Sequence, residues 1–103
     1  MEETHFGTYI RQLREAEQMP LRKLAAALDI DTSTLSKIER QERYANPAMV
    51  PILAEVFGLE YKELQIFFWR DKLLQDLRDE DFIVEALVQT IEVLSSDNLD
   101  EEE

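Results

Sequence analysis

Apolar residues return every three or four positions along most of the chain, with polar residues between them, a spacing that predicts helices rather than strands. Phe6, Ile10 and Leu13 recur around Arg11, Gln12, Arg14 and Glu15, which predicts a first amphipathic helix over about 5–18 with Thr4 as its N-cap. Pro20 fits the first turn of a second helix, whose Leu21, Leu24, Ala25 and Leu28 share one face until Asp29 stops it. Asp31 and Thr32 supply capping chemistry for a third helix over about 32–40. In it Leu35 and Ile38 face inward, leaving Thr32, Ser33, Ser36 and Lys37 outward. Only Asp29, Ile30 and Asp31 separate these two short helices.

The polar stretch from Gln41 to Pro47 reads as a loop, since Asn46-Pro47 favours a turn or a helix start. Met49, Ile52, Leu53, Val56 and Phe57 make a fourth helix that ends at Gly58, with Pro51 tolerated in its first turn. A fifth helix begins near Glu60 and carries Leu64, Phe67, Phe68, Leu74 and Leu77 as far as Arg78. The acids Asp79, Glu80 and Asp81 suit the positive end of a sixth, in which Phe82, Ile83, Ala86, Leu87, Thr90, Ile91 and Leu94 repeat up to about Ser95. Residues 96–103 have too little apolar content to offset ordering entropy, so a flexible acidic tail is expected there.

A chain of 103 residues supports one core with a short extension. Two glycines and three prolines supply too few turns for an all-β fold. The chain has no cysteine, which removes disulfides, thiolate metal sites and a cysteine nucleophile and suits a reducing cytoplasm. His5 is the only histidine and cannot form a zinc site by itself. The first residues are acidic and no apolar run approaches the roughly 18 residues a membrane span needs, so a cytoplasmic location is expected. Asp79, Glu80 and Asp81 have no accompanying histidine or glycine-rich loop, and no nucleophile–base arrangement stands out. Neither catalysis nor a metal or cofactor is expected.

Net charge is −12, unevenly placed: residues 1–47 hold seven basic against eight acidic residues, and residues 48–103 hold four against fifteen. Such an acidic bias opposes unspecific attraction to phosphate, so any binding to nucleic acid must come from local geometry and local charge.

Two short helices joined by a tight turn, with the small Ala25 in the first and hydroxyl and basic side chains outside the second, suit entry into a DNA major groove. Ile10-Arg11-Gln12-Leu13-Arg14, Leu24-Ala25, the stretch Ile30 to Arg40 (IDTSTLSKIER), Asn46-Pro47, Leu53-Ala54 and Phe57-Gly58-Leu59 stand in order. Over roughly residues 5–65 they resemble the Cro and lambda-repressor-like, or XRE, family. The resemblance implies an all-α fold: a five-helix lambda-repressor-like DNA-binding domain, here over 1–66, with an extra C-terminal helix in an extension over 67–95. It also implies that the third helix reads bases of double-stranded DNA, through positions that fall on Thr32, Ser33 and Lys37. Lysine can donate to guanine O6 and N7, and short hydroxyls reach base edges or phosphates.

In the same family a first-helix arginine pairs with a glutamate late in the third helix, here Arg14 with Glu39. Arg40 and Arg43 fall where relatives touch phosphate, with Ser36 and the Tyr44 hydroxyl as further donors. Free N–H groups at the start of the second helix point the same way. Many relatives carry glutamine at Leu21 and glycine at Asp29 and at Gln41; without the glutamine contact, Arg22 and Lys23 are the candidates to replace it. Leu21-Arg22-Lys23-Leu24-Ala25, LDID in the turn, Trp69-Arg70-Asp71-Lys72 and Asp79-Glu80-Asp81 are similar to a subgroup of small regulators often found beside restriction-modification methyltransferases.

Phe67, Phe68 and Trp69 are adjacent on a helix and point in different directions, so they cannot all enter one small core. With Leu87 and Ile91 they form the expected interface of a homodimer, whose two-fold symmetry matches a palindrome. The expectation is therefore a DNA-binding repressor. The competing reading is an antitoxin or adaptor that holds a protein partner through the acidic, aromatic C-terminal half.

Overall fold

Six helices and no strand account for the regular structure of the computed structural model, which describes residues 5–102, with side chains to residue 98. They are α1 (Phe6–Ala16), α2 (Leu21–Leu28), α3 (Thr32–Glu39), α4 (Met49–Phe57), α5 (Tyr61–Leu77) and α6 (Ile83–Glu102). Each expected helix is present and the ends lie within a few residues of the sequence pattern, apart from the end of α6. Thr4, the expected cap of α1, lies outside the described residues. One cap of α1 comes from far along the chain: the Phe6 backbone N–H donates to Asp71 Oδ2 on α5 at 3.1 Å.

Helices of 8 to 11 residues, such as α1 to α4, are too short to persist alone, so burial and end chemistry hold them. Four of the helix ends have the same geometry. Gln18, Asp29, Gln41 and Gly58 each adopt a left-handed φ between 54° and 65°. The next N–H after each reaches back to close the turn: Met19 to Arg14, Ile30 to Ala25, Glu42 to Lys37 and Leu59 to Ala54, at 2.8–3.0 Å. This is the paired-bond helix ending that glycine favours. Only one of the four positions is glycine.

The core is built by Phe6 and Ile10 of α1, Leu24, Ala25 and Leu28 of α2, Leu35 and Ile38 of α3, Val50, Leu53 and Ala54 of α4, and Leu64 and Phe68 of α5. Burying a large side chain of this kind is worth about 1.5–3 kcal/mol. Gly7 makes the approach of α1 to α3 possible, because a Cβ there would overlap the Ile38 carbonyl oxygen.

The chain divides into two compact units, Met1–Lys72 and Leu73–Glu103. The boundary falls within α5 instead of at 66/67, because Phe67 and Phe68 pack on Phe6 and Asp71 caps α1. In the second unit no described side chain is buried; Leu77, Ile83 and Leu87 are half-buried and the rest exposed. Helical backbone continues to Glu102, so the expected helix end near Ser95 is corrected. Low apolar content decides whether a segment can pack, and with no glycine or proline after Ser95 nothing forces the backbone out of the helix.

Candidate nucleic-acid interface

The unit Met1–Lys72 presents α2, a turn and α3 as a continuous motif. Leu24, Ala25 and Leu28 are buried on α2, and Leu35, Ile38 and Glu39 on α3. The left-handed Asp29 reverses the chain, and its own side chain is exposed. Asp31 then starts α3 by accepting from the Thr34 backbone N–H at 2.6 Å. Hydrogen bonding from Thr34 holds the Asp31 carboxyl below its ordinary range, and the nearby charges of Arg43 and Lys37 push the same way. The three charged groups are thus neighbours.

With one side of α3 buried, the other is set by helical spacing. Ser33, Lys37 and Arg40 follow one another at four and three residues along the outer side, all exposed, with Ser36 half-buried beside them and Thr32 exposed at the first position. Thr32, Ser33, Ser36 and Lys37 are brought together on one helix, as expected. Arg40 is also exposed, but its Nε lies 2.8 Å from Glu42 Oε2. Both side chains of that pair are more than half exposed, so it is worth at most about 1 kcal/mol and does not prevent Arg40 from turning to a phosphate. Arg43 and Tyr44 are exposed in the loop after α3, and Arg22 and Lys23 are exposed on the first turn of α2. No side chain caps that helix N-terminus, which leaves its first N–H groups available to an anion.

What fixes α3 is a buried ion pair. Arg14 Nε donates to Glu39 Oε2 at 2.8 Å, its Nη2 to Glu39 Oε1 at 2.9 Å, and its Nη1 to the Met19 carbonyl at 2.9 Å. The two-pronged bond to Glu39 raises the Arg14 pKa further above its ordinary value. Glu39 is only 5% exposed, so losing its partner would strand a buried charge, a cost of about 3–5 kcal/mol. The pairing inferred from family resemblance is present, and its role is to lock α1 to the end of α3. Gln41 adds a surface tie, donating from Nε2 to Thr8 Oγ1 at 2.6 Å.

The aromatic triplet divides in the way that adjacency on a helix requires. Phe68 is 3% exposed and meets the Phe6 ring edge-on at a centroid distance of 5.2 Å. Phe67 is half-buried against Phe6 and Tyr9. Of the residues expected at a dimer interface, these two have ring partners on α1 within the chain. Trp69 stays 44% exposed. Lys72 Nζ sits 5.6 Å from its ring centre and 5.7 Å from that of Tyr44, so cation–π attraction ties the loop after α3 to α5. Leu87 is half-buried and Ile91 exposed in the second unit.

Sequence reasoning missed Gly7, Asp71 and Lys72. A glycine inside a helical pattern was a legible sign of close packing, whereas long-range partners such as Asp71 and Lys72 left no local signal.

No helix among the described residues is long and apolar enough to cross a membrane. A family model described as helix-turn-helix matches residues 10–64, from within α1 to the first turn of α5. Over 60 residues the chain is 37% identical to an uncharacterized HTH-type transcriptional regulator, RghRB, of Bacillus subtilis (strain 168), a match covering 57% of this chain and 43% of that protein. The match therefore spans less than half the length of that relative. No solved structure matches the chain.

Proposed function

The chain belongs to the helix-turn-helix family, and on that premise we propose that it is a sequence-specific DNA-binding transcriptional regulator. It acts as a homodimer on a palindromic operator and represses by occluding a promoter. The observation that carries the reading is the outer strip of α3, where Ser33, Lys37 and Arg40 are exposed opposite a side fixed by the Arg14–Glu39 pair. A helix held this rigidly can present Lys37 to a guanine edge, with Thr32 and Ser33 on neighbouring bases. Arg43, Tyr44, Ser36, Arg22 and Lys23 serve phosphates, which set register without reading sequence. The likeness to regulators beside restriction-modification methyltransferases makes the promoter of such a locus the first natural operator to try.

The test is selection of duplexes from a random pool by the purified chain, followed by anisotropy titration at two salt concentrations. The expected winners are palindromes with half-sites one helical turn apart, about 34 Å centre to centre. Arg43→Ala weakens binding to every sequence alike and lowers the salt slope by about 1. Failure of a folded chain to enrich any sequence would overturn the reading.

A further inference from the structure

The unit Leu73–Glu103 is unusual in what it leaves uncovered. Phe82 is 77% exposed, Val84 67%, Ile91 62% and Leu94 56%. With Val84 as the first position of a seven-residue repeat, Ile91 and Asn98 fall on the same position, and Leu87 and Leu94 on the fourth. These two positions form one seam along α6. Val and Ile at the first with Leu at the fourth is the combination that favours two parallel strands, and one polar Asn at a first position fixes register and limits the assembly to two chains.

Charge placement identifies the occupant of the seam. The unit holds one basic against eleven acidic residues, which at first favours a basic partner. Between Ile83 and Ser96, however, the only acids are Glu85 and Glu92, seven apart and both at the second position of the repeat, away from the seam. The positions flanking the seam there are Ile83, Val88, Thr90 and Ser95, all uncharged, and the first acid to flank it is Asp97. A basic helix laid along the seam would meet no carboxylate over that length, while an identical helix meets no like charge.

We propose that α6 pairs with α6 of a second copy of this chain, parallel and in register, along Val84, Leu87, Ile91, Leu94 and Asn98. The proposal rests on the homodimer reading above and specifies how that dimer is held. Two heptads make a weak seam, so the dimer dissociates on dilution, and the acids beyond its ends make it tighten as salt rises. Dimerisation of this kind has the opposite salt dependence to DNA binding.

The chain has no cysteine of its own, so single-cysteine variants report the register directly. Under mild oxidation of the full chain, Val84→Cys and Asn98→Cys are expected to form disulfide-linked dimers, because both bring Cα atoms of the two copies within the roughly 4.4–6.8 Å a disulfide needs. Glu85→Cys and Glu92→Cys, on the outer side, do not. Sedimentation equilibrium of the wild type should show the dimer fraction rising with salt. Ile91→Glu, at an exposed position, should abolish the dimer with circular dichroism unchanged. A wild-type dimer that cross-links at neither Val84→Cys nor Asn98→Cys overturns the seam and leaves the homodimer intact. A monomer at all concentrations and salts, or a dimer that loosens with salt, also overturns the seam; the first of these removes the homodimer as well.

Discussion

At the scale of single residues, a few positions decide how closely the helices pack and where charge sits. Gly7 is one: Gly7→Ala drives a methyl group into the Ile38 carbonyl. The expected cost is about 3 kcal/mol or more, the upper range for overpacking, since backbone and not a side chain must move; thermal or denaturant unfolding checks it. Asp31 is another, with two opposed effects. Its carboxylate caps α3 and also places a negative charge beside Lys37 and Arg43. Because folding lowers its pKa, its stabilising effect is present above the ordinary carboxylate range and is lost as pH falls through the lowered folded value. Asparagine caps equally well, so Asp31→Asn should keep α3 formed, flatten the acid limb of the Tm–pH curve and tighten DNA binding at neutral pH. Unchanged affinity would show that Asp31 lies outside the field felt by DNA.

At the scale of elements, α2 and α3 were fully legible because their information is local: apolar spacing, Asp31 as cap and the small Ala25. Helix ends were less so. The ends of α2 and α3 were located to within a residue, but the left-handed backbone of Asp29 and Gln41 was not, because neither position is a glycine. The start of α1 was legible from its apolar spacing, but the contact that caps it was not, since Asp71 lies 65 residues away. Asp71→Ala should cost about 0.5–2 kcal/mol, the ordinary loss for a helix cap, and remove hydrogen-exchange protection from the first turn of α1 before the rest. Protection unchanged there would mean that α1 is held by Phe6 and Ile10 alone. The aromatic triplet shows the same limit: adjacency told that the rings diverge, but not that Phe6 and Tyr9 wait for Phe68 and Phe67.

At the scale of the whole molecule, charge is the feature that the proposed function must accommodate. The unit Met1–Lys72 carries ten basic against twelve acidic residues, and Glu39 and Glu42 are already paired with Arg14 and Arg40. A near-neutral reading unit joined to an acidic one binds unspecific DNA weakly, which widens the gap between operator and other sites. The central claim is that α3 reads bases through Lys37. The most direct measurement is the affinity of wild type and Lys37→Ala for the selected operator and for each of its single-base substitutions, at one fixed salt concentration. Lys37→Ala is expected to lose about 1–3 kcal/mol on the operator and to stop discriminating at one symmetric pair of positions, with discrimination elsewhere unchanged. A substitution profile identical to that of the wild type would contradict it.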